Sequence, residues 1–209
     1  MKRLLALLAL LVAAGAGLLA FGSSGSSEVP QPAPAQRTAV AVVASGCFWC
    51  TESDFDHVAG VISTTSGYTG GRVANPTYHQ VSEGNTGHFE SVRIVYDPAR
   101  VSYAQLIGHL FRTSDPFDSG GSFCDRGSQY RSAIFVRTPE ERRIAEAVKA
   151  RVERQLGRRP ATPILPAGQF YPAEEYHQDY YRKNPLRYRY YRWNCGRDRR
   201  IQEVWAHAR

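Results

Sequence analysis

Two thiols stand three residues apart in Gly46-Cys47-Phe48-Trp49-Cys50, around two large aromatic side chains. Such a pair is suited to nucleophilic or redox chemistry at sulfur. The preceding run, Thr38-Ala39-Val40-Ala41-Val42-Val43-Ala44, is uncharged, rich in β-branched residues and of strand length. Ser45-Gly46 turns the chain, and residues 47–57 lack Gly and Pro, so a helix is expected there. Cys47 then sits in or next to the first helical turn. Unpaired N–H groups and the positive end of the helix dipole favour a thiolate at that place. The competing reading is a buried or disulfide-bonded cysteine.

Other groups with chemistry lie on turn-rich stretches: Tyr78, Glu90, Asp125 and Tyr130. A carboxyl group among aromatics keeps its proton to higher pH and can deliver it near neutrality. Cys50, Cys124 and Cys195 are three thiols able to capture an oxidised Cys47 as a disulfide. The set suits reduction at sulfur better than hydrolysis. A cysteine hydrolase wants a histidine base, and none of His57, His79, His88, His109, His177 and His207 pairs with Cys47 in sequence.

These groups need elements to position them. Residues 60–66 are β-rich and run into Gly67-Tyr68-Thr69-Gly70-Gly71, a tight bend or close backbone approach. Asn75-Pro76-Thr77-Tyr78 reads as a turn, and residues 88–96 as a strand ended by Asp97-Pro98. Ser102 and Gln105 fit a capping box, with Leu106, Ile107, Leu110 and Phe111 at helical spacing behind it. Residues 114–127 form a loop, and residues 130–136 a strand. Thr138-Pro139-Glu140-Glu141 starts a helix whose apolar face is Ile144, Val148, Val152 and Leu156, ended by Gly157. A short strand is expected over residues 161–165 and a helix over residues 174–183. Alternating strands and helices predict an α/β or α+β two-layer sandwich, a mixed sheet with helices packed on it and long functional loops.

The chain has 209 residues, 43% of them hydrophobic, which is enough for one ordinary core. Residues 1–22 stand apart. Met1-Lys2-Arg3 is a positive start, and residues 4–21 are an uncharged apolar run. A signal peptide cut after Gly22 or an uncleaved N-terminal membrane anchor is expected. Residues 23–37, rich in Ser, Gly, Pro and Ala, form a flexible linker, and residues 38–209 the catalytic domain. Export to the periplasm or the cell exterior follows, with anchoring by residues 4–21 as the alternative. Residues 182–200 hold eight Lys/Arg against Asp198 alone, an excess equal to the +7 of the whole chain. With Tyr188, Tyr190, Tyr191 and Trp193 they read as a packed basic aromatic tail with snorkelling arginines rather than a nucleic-acid surface.

Six motifs occur in order: Gly46-Cys47-Phe48-Trp49, Gly67-Tyr68-Thr69-Gly70-Gly71, Asn75-Pro76-Thr77-Tyr78, Gly87-His88-Phe89-Glu90, Gln129-Tyr130-Arg131-Ser132 and Glu175-Tyr176-His177-Gln178. Together they resemble peptide methionine sulfoxide reductase A, the form acting on the S epimer, over about residues 38–195. The resemblance implies a ferredoxin-like fold with no metal and no bound cofactor. It implies that Cys47 attacks the sulfoxide sulfur and that Glu90 gives a proton or hydrogen bond to the oxygen, helped by Tyr78 and Tyr130. Phe48 and Trp49 would cradle the methyl group and Asp125 orient the substrate, an oxidised protein or free methionine sulfoxide. A disulfide would then form and be reduced by thioredoxin or a similar dithiol. A monomer is expected. The sequence departs from the commonest pattern at Cys50, where many members have glycine, and at Cys124 beside Asp125, so Cys50, Cys195 and Cys124 all stand as resolving thiols.

Two readings from other classes compete. A thiol-disulfide oxidoreductase would use Cys47 and Cys50 as its redox pair, but leaves Glu90 and the tyrosines without a task. A zinc module would need Cys47, Cys50, Cys124 and Cys195 together, with only one close pair in sequence.

Overall fold

The structure is a computed structural model and describes residues 37–206 and residue 208. The expected signal or anchor, and all of the expected linker but its last residue, lie outside the described residues. Among the described residues, no helix is long and apolar enough to cross a membrane.

In chain order the first half contains β1 (Ala39–Ser45), α1 (Phe48–Asp56), β2 (Val61–Thr69), α2 (Tyr78–Ser82), β3 (Phe89–Tyr96) and α3 (Tyr103–Arg112). The hairpin strands β4 (Gly121–Ser122) and β5 (Asp125–Arg126) follow, then β6 (Ser132–Val136), α4 (Pro139–Leu156), β7 (Ile164–Pro166) and β8 (Tyr171–Pro172). The tail is three helices, α5 (Tyr180–Lys183), α6 (Pro185–Asn194) and α7 (Arg197–Trp205).

The main sheet runs in the order β7-β6-β1-β3-β2-β8. All its pairs are antiparallel except β6 with β7. Its central four strands, with α1 and α3 as crossovers, form the expected ferredoxin-like β-α-β-β-α-β unit. The two-residue period of β1 explains how both faces are used. Ala41 and Val43 point into the larger core with Phe48, Phe55, Leu106, Leu110 and Phe111. Val42 and Ala44 point the other way, onto Phe89, Ala133 and Phe135.

Local sequence signals hold at the two helix starts where a capping side chain was expected. Ser102 and Gln105 make the capping box of α3, and Thr138 caps α4 with Pro139 in its first turn. Thr77 and Gln80 make another box, so Asn75-Pro76-Thr77-Tyr78 leads into α2 rather than only turning the chain. The sheet also extends further than expected, with β2 continuing through Gly67-Tyr68-Thr69. Residues 114–127 are not wholly loop but contain the β4–β5 hairpin. Residues 128–130 form a 3-10 turn before β6, and the short strand near residue 164 starts later than expected.

The helix expected over residues 174–183 is broken. Residues 175–177 form a 3-10 turn, and Asp179 has φ +52° before α5 begins. The break has a physical reason. The Gln178 side chain bonds both backbone groups of Ser66 and the Ala173 carbonyl. A continuous helix would not hold it against β2. The tail also departs from a snorkelling surface: Arg197 is 2% exposed and forms an ion pair with Asp54.

Candidate active site

The turn after β1 places the first thiol. Gly46 has φ +82°, the left-handed region, and a Cβ there would lie 2.5 Å from Ser122 Cβ. Glycine is required at this point, and its absent side chain lets the β4–β5 hairpin close over the turn. Cys47 is the N-cap of α1, and its carbonyl accepts from the Cys50 and Thr51 N–H groups. Phe48, the first helical residue, donates its N–H to Glu90 Oε2 at 3.0 Å. The strand β3 thus delivers a carboxyl group to the helix start, beside the thiol.

Eight residues line one pocket of about 70 Å³: Cys47, Phe48, Trp49, Tyr78, Glu90, Asp125, Tyr130 and Tyr191. That volume admits a few waters or a small sulfinyl group. Phe48 packs against Tyr68, Tyr78 and His177, with ring centroids 5.8, 6.4 and 5.0 Å away. Trp49 stacks on Tyr180 at 3.7 Å and donates its indole N–H to His177 Nδ1 at 3.0 Å. The strap before α5 locks these rings. Glu174 accepts from the Tyr68 hydroxyl and the Tyr78 N–H, at 2.9 and 2.8 Å. Every sequence-predicted substrate and catalytic residue therefore meets at one place.

Electrostatics correct the expected thiolate. Burial, the Cys50 hydrogen bond and the charges of Cys50, Glu90 and Asp125 push the Cys47 thiol well above its ordinary value. The helix terminus is present but is outweighed: Cys47 is 6% exposed, and desolvation penalises an anion more than a half-charge dipole rewards it. Burial likewise raises Glu90 to about 8, against the lowering effect of the Phe48 N–H. The resting site holds both protons at neutral pH, one on sulfur and one on carboxyl. Burial raises Tyr78 to about 12 and raises Tyr130 as well.

The other cysteines divide. Cys50 is buried and free, and its N–H bonds the Cys47 carbonyl at 3.1 Å. Cys124 and Cys195 are joined in a disulfide, with Cα atoms 4.9 Å apart. They spend their sulfurs on each other, so the four cysteines do not form the thiolate set a zinc module would need. Cys124 is the exposed partner; Cys47 and Cys50 are enclosed.

A family model described as peptide methionine sulfoxide reductase matches residues 39–209. This chain belongs to the peptide methionine sulfoxide reductase family. It is 50% identical over 188 residues to peptide methionine sulfoxide reductase MsrA 2 of Rhizobium meliloti, covering 90% of this chain and 94% of that one. It is also 50% identical over 173 residues to MsrA 2 of Caulobacter vibrioides, covering 82% and 88%. Among solved structures it is similar to methionine sulfoxide reductase A of Corynebacterium diphtheriae, with TM-score 0.64 and 36% identity over 75% of this chain and 78% of that one. Mxr1 of Saccharomyces cerevisiae in reduced form gives TM-score 0.69 and 30% identity over 73% and 88%. The chain is an oxidoreductase that returns methionine sulfoxide to methionine.

Three residues of this reductase's site escaped the sequence reading. Tyr191 reaches the pocket from α6, bonds Asp125 Oδ2 through its hydroxyl, and sets its ring edge-on to Trp49. His177 and Glu174 hold the aromatic wall. His177 belongs to a quoted motif, but no sequence signal separated Tyr191 from its tyrosine neighbours 188 and 190.

Proposed function

We propose that Cys47 attacks the sulfur of a bound methionine S-sulfoxide while the Glu90 carboxyl protonates the departing oxygen. Tyr78 and Tyr130 donate hydrogen bonds to that oxygen. Phe48 and Trp49 enclose the methyl group, and Asp125, held by Tyr191, orients the substrate backbone or amino group. The step balances in two stages. The Cys47 sulfur bonds the sulfoxide sulfur as the S–O bond breaks, and the oxygen leaves as water with the thiol proton and the Glu90 proton. Water then attacks the Cys47 sulfur, the bond to the substrate sulfur breaks, and Cys47 sulfenic acid and methionine result while Glu90 takes its proton back. One observation carries the reading. A buried carboxyl that keeps its proton to about pH 8 is pinned to the N–H next to the nucleophile, inside one small aromatic pocket.

Of the three candidate resolving thiols, we assign the capture to Cys50. It is a free thiol three residues beyond Cys47, its N–H bonded to the Cys47 carbonyl at 3.1 Å, whereas Cys124 and Cys195 are bonded to each other. Cys50 displaces water from the sulfenic acid and forms the Cys47–Cys50 disulfide. Cys195 and Cys124, when reduced, take over that disulfide by exchange and return Cys47 and Cys50 as thiols. The Cys124–Cys195 bond is the pairing such an exchange would yield, which supports the reading. An external dithiol then reduces Cys124–Cys195 by attack at the exposed Cys124 sulfur. A thioredoxin-like reductant fits this task, and yeast Mxr1 has been solved in complex with Trx2.

Cys50→Ser tests the assignment. The variant is expected to form at most about one methionine per chain and to accumulate Cys47 sulfenic acid, trapped by a cyclic diketone and weighed by mass spectrometry. Continued thioredoxin-driven cycling at the parent rate would return the resolving role to Cys124 or Cys195. The same outcome bears on the competing oxidoreductase reading, which predicts no methionine at all.

Export is proposed on the positive start and the apolar run of residues 4–21. Fractionation should find the protein outside the cytosol, either bearing an N-terminus near residue 23 or full-length in the membrane. Full-length protein in the cytosolic fraction would refute it.

A further inference from the structure

α6 has two faces. Tyr188 is buried, Tyr191 enters the substrate pocket, and Cys195 at the helix end is bonded to Cys124. These three follow one another at helical spacing and form the inward face. Leu186, Tyr190 and Trp193 keep the same spacing on the outward face. They are 73%, 66% and 75% exposed, and the rings of Tyr190 and Trp193 lie 6.2 Å apart. Arg189 stands in the same stripe, three residues after Leu186 and four before Trp193. Single exposed apolar residues are ordinary. Here three of the five large apolar side chains exposed among the described residues lie along one helix, which marks an interaction surface.

The stripe runs to the disulfide. Arg189, Trp193, Gly196 and Arg199 help to line a cleft of about 250 Å³. A second cleft, of about 290 Å³, shares Gly196 and Arg199 and reaches Cys195 and Phe123. Cys124, next to Phe123, is the exposed partner of that disulfide. Charge is unbalanced along this path. Every carboxylate lining the two clefts has a cation: Asp198 meets Arg192, Asp115 and Glu203 share Arg200, and Asp118 meets Arg126. The cleft arginines left over are Arg189 and Arg199, which form no ion pair among the described residues. A concave, apolar and cationic surface beside an exposed disulfide fits an anionic protein that carries a thiol. A bilayer offers negative charge but neither a thiol nor side chains to enter the clefts.

We propose that the outward face of α6 and its two clefts dock the protein dithiol that reduces Cys124–Cys195, a thioredoxin-like partner with an apolar rim and carboxylates round its reactive thiol. The proposal rests on the reading of Cys124–Cys195 as the disulfide left for the external reductant. In the step it serves, the partner's thiolate bonds the Cys124 sulfur, the Cys124–Cys195 bond breaks, and Cys195 leaves as a thiolate and takes a proton. The partner's second thiolate then attacks its own first sulfur and frees Cys124. The electron pair comes from the partner, which departs as a disulfide. An exposed tryptophan flanked by arginine is the usual make-up of the contacts that dominate an interface. Trp193 is thus the anchor, and Arg189 and Arg199 meet the partner's carboxylates and steer its approach.

The test cycles the full chain on a methionine S-sulfoxide peptide with either of two reductants. One is a thioredoxin, with yeast Trx2 as the probe; the other is dithiothreitol, too small to need the surface. Trp193→Ala and Arg189→Glu are each expected to raise KM for Trx2 about tenfold while leaving the dithiothreitol-driven rate near the parent's. Added salt should raise the parent's KM for Trx2, and Arg189→Glu should lose that dependence. Equal losses with both reductants would make these residues supports of the fold and overturn the proposal, as would parent kinetics with Trx2 in both variants. A parent that dithiothreitol cycles and Trx2 does not would overturn the choice of partner. Loss of binding to phosphatidylglycerol vesicles, or of self-association, in Trp193→Ala with Trx2 kinetics unchanged would give the surface to a bilayer or a second copy instead. Failure of the underlying reading shows differently: Cys195→Ser would then cycle with Trx2 at the parent rate, whatever Trp193→Ala does.

Discussion

Cys47→Ser is expected to abolish sulfoxide reduction, with a loss on the order of 10⁴-fold or more, the scale seen when a covalent nucleophile is removed. The reason is electronic as well as geometric. A serine hydroxyl in the same position is a far poorer nucleophile toward sulfur, and it has no sulfenic acid to form, so no disulfide can follow. The site offers serine no compensating base. The Glu90 carboxyl of the pocket holds a proton rather than accepting one below about pH 8. Cys47 is buried at the helix N-cap, so serine should fit without disturbing the fold, and an unchanged melting temperature would separate lost chemistry from lost structure. Methionine released from a sulfoxide peptide is the measurement. Turnover by the serine variant within tenfold of the parent would remove Cys47 from the mechanism.

Glu90→Gln is expected to slow the chemical step by about 10²-fold, the usual scale of general acid catalysis. Glutamine can still accept from the Phe48 N–H and can donate a hydrogen bond to the sulfoxide oxygen, but it cannot surrender a proton. The pH dependence carries a sign. Glu90 is raised to about 8 by burial; its proton is present below that pH and lost above it. The parent's single-turnover rate should therefore fall as pH rises through about 8. The glutamine variant should lack that falling limb. Cys47 acts in the opposite direction, since its raised thiol ionises more as pH rises, so the limb that disappears identifies the group. A glutamine variant that keeps both the rate and the falling limb between pH 6 and 9 would assign the proton elsewhere.

Much of the frame was legible in the residues themselves. β1 is a run of β-branched and small residues whose alternation serves two cores. The starts of α3 and α4 announce themselves through side chains that cap their own backbone three residues on. These signals are local: a capping box or a period of two is complete within a few residues, so no distant contact is needed to read it. Cys47 at a helix start was legible for the same reason; the ordered motifs carried Glu90, Tyr78 and Tyr130 into one expected site, and the family resemblance added Asp125.

What escaped depends on groups brought from far along the chain. The helix expected over residues 174–183 breaks because Gln178 bonds Ser66, 112 positions earlier. Tyr191 enters the site from 66 positions beyond Asp125, on a helix whose Tyr188 packs on Tyr181 and Tyr190 on Trp193. The pairing of Cys124 with Cys195 spans 71 positions, and four cysteines carry no sequence mark that selects one partner. The protonation of Cys47 shows the division most directly. Sequence determined the helix terminus that favours a thiolate; tertiary packing decided that the thiol is buried beside Glu90 and Asp125. Desolvation and neighbouring charge act through space on whatever the fold gathers, and they outweigh a dipole that acts only along one helix.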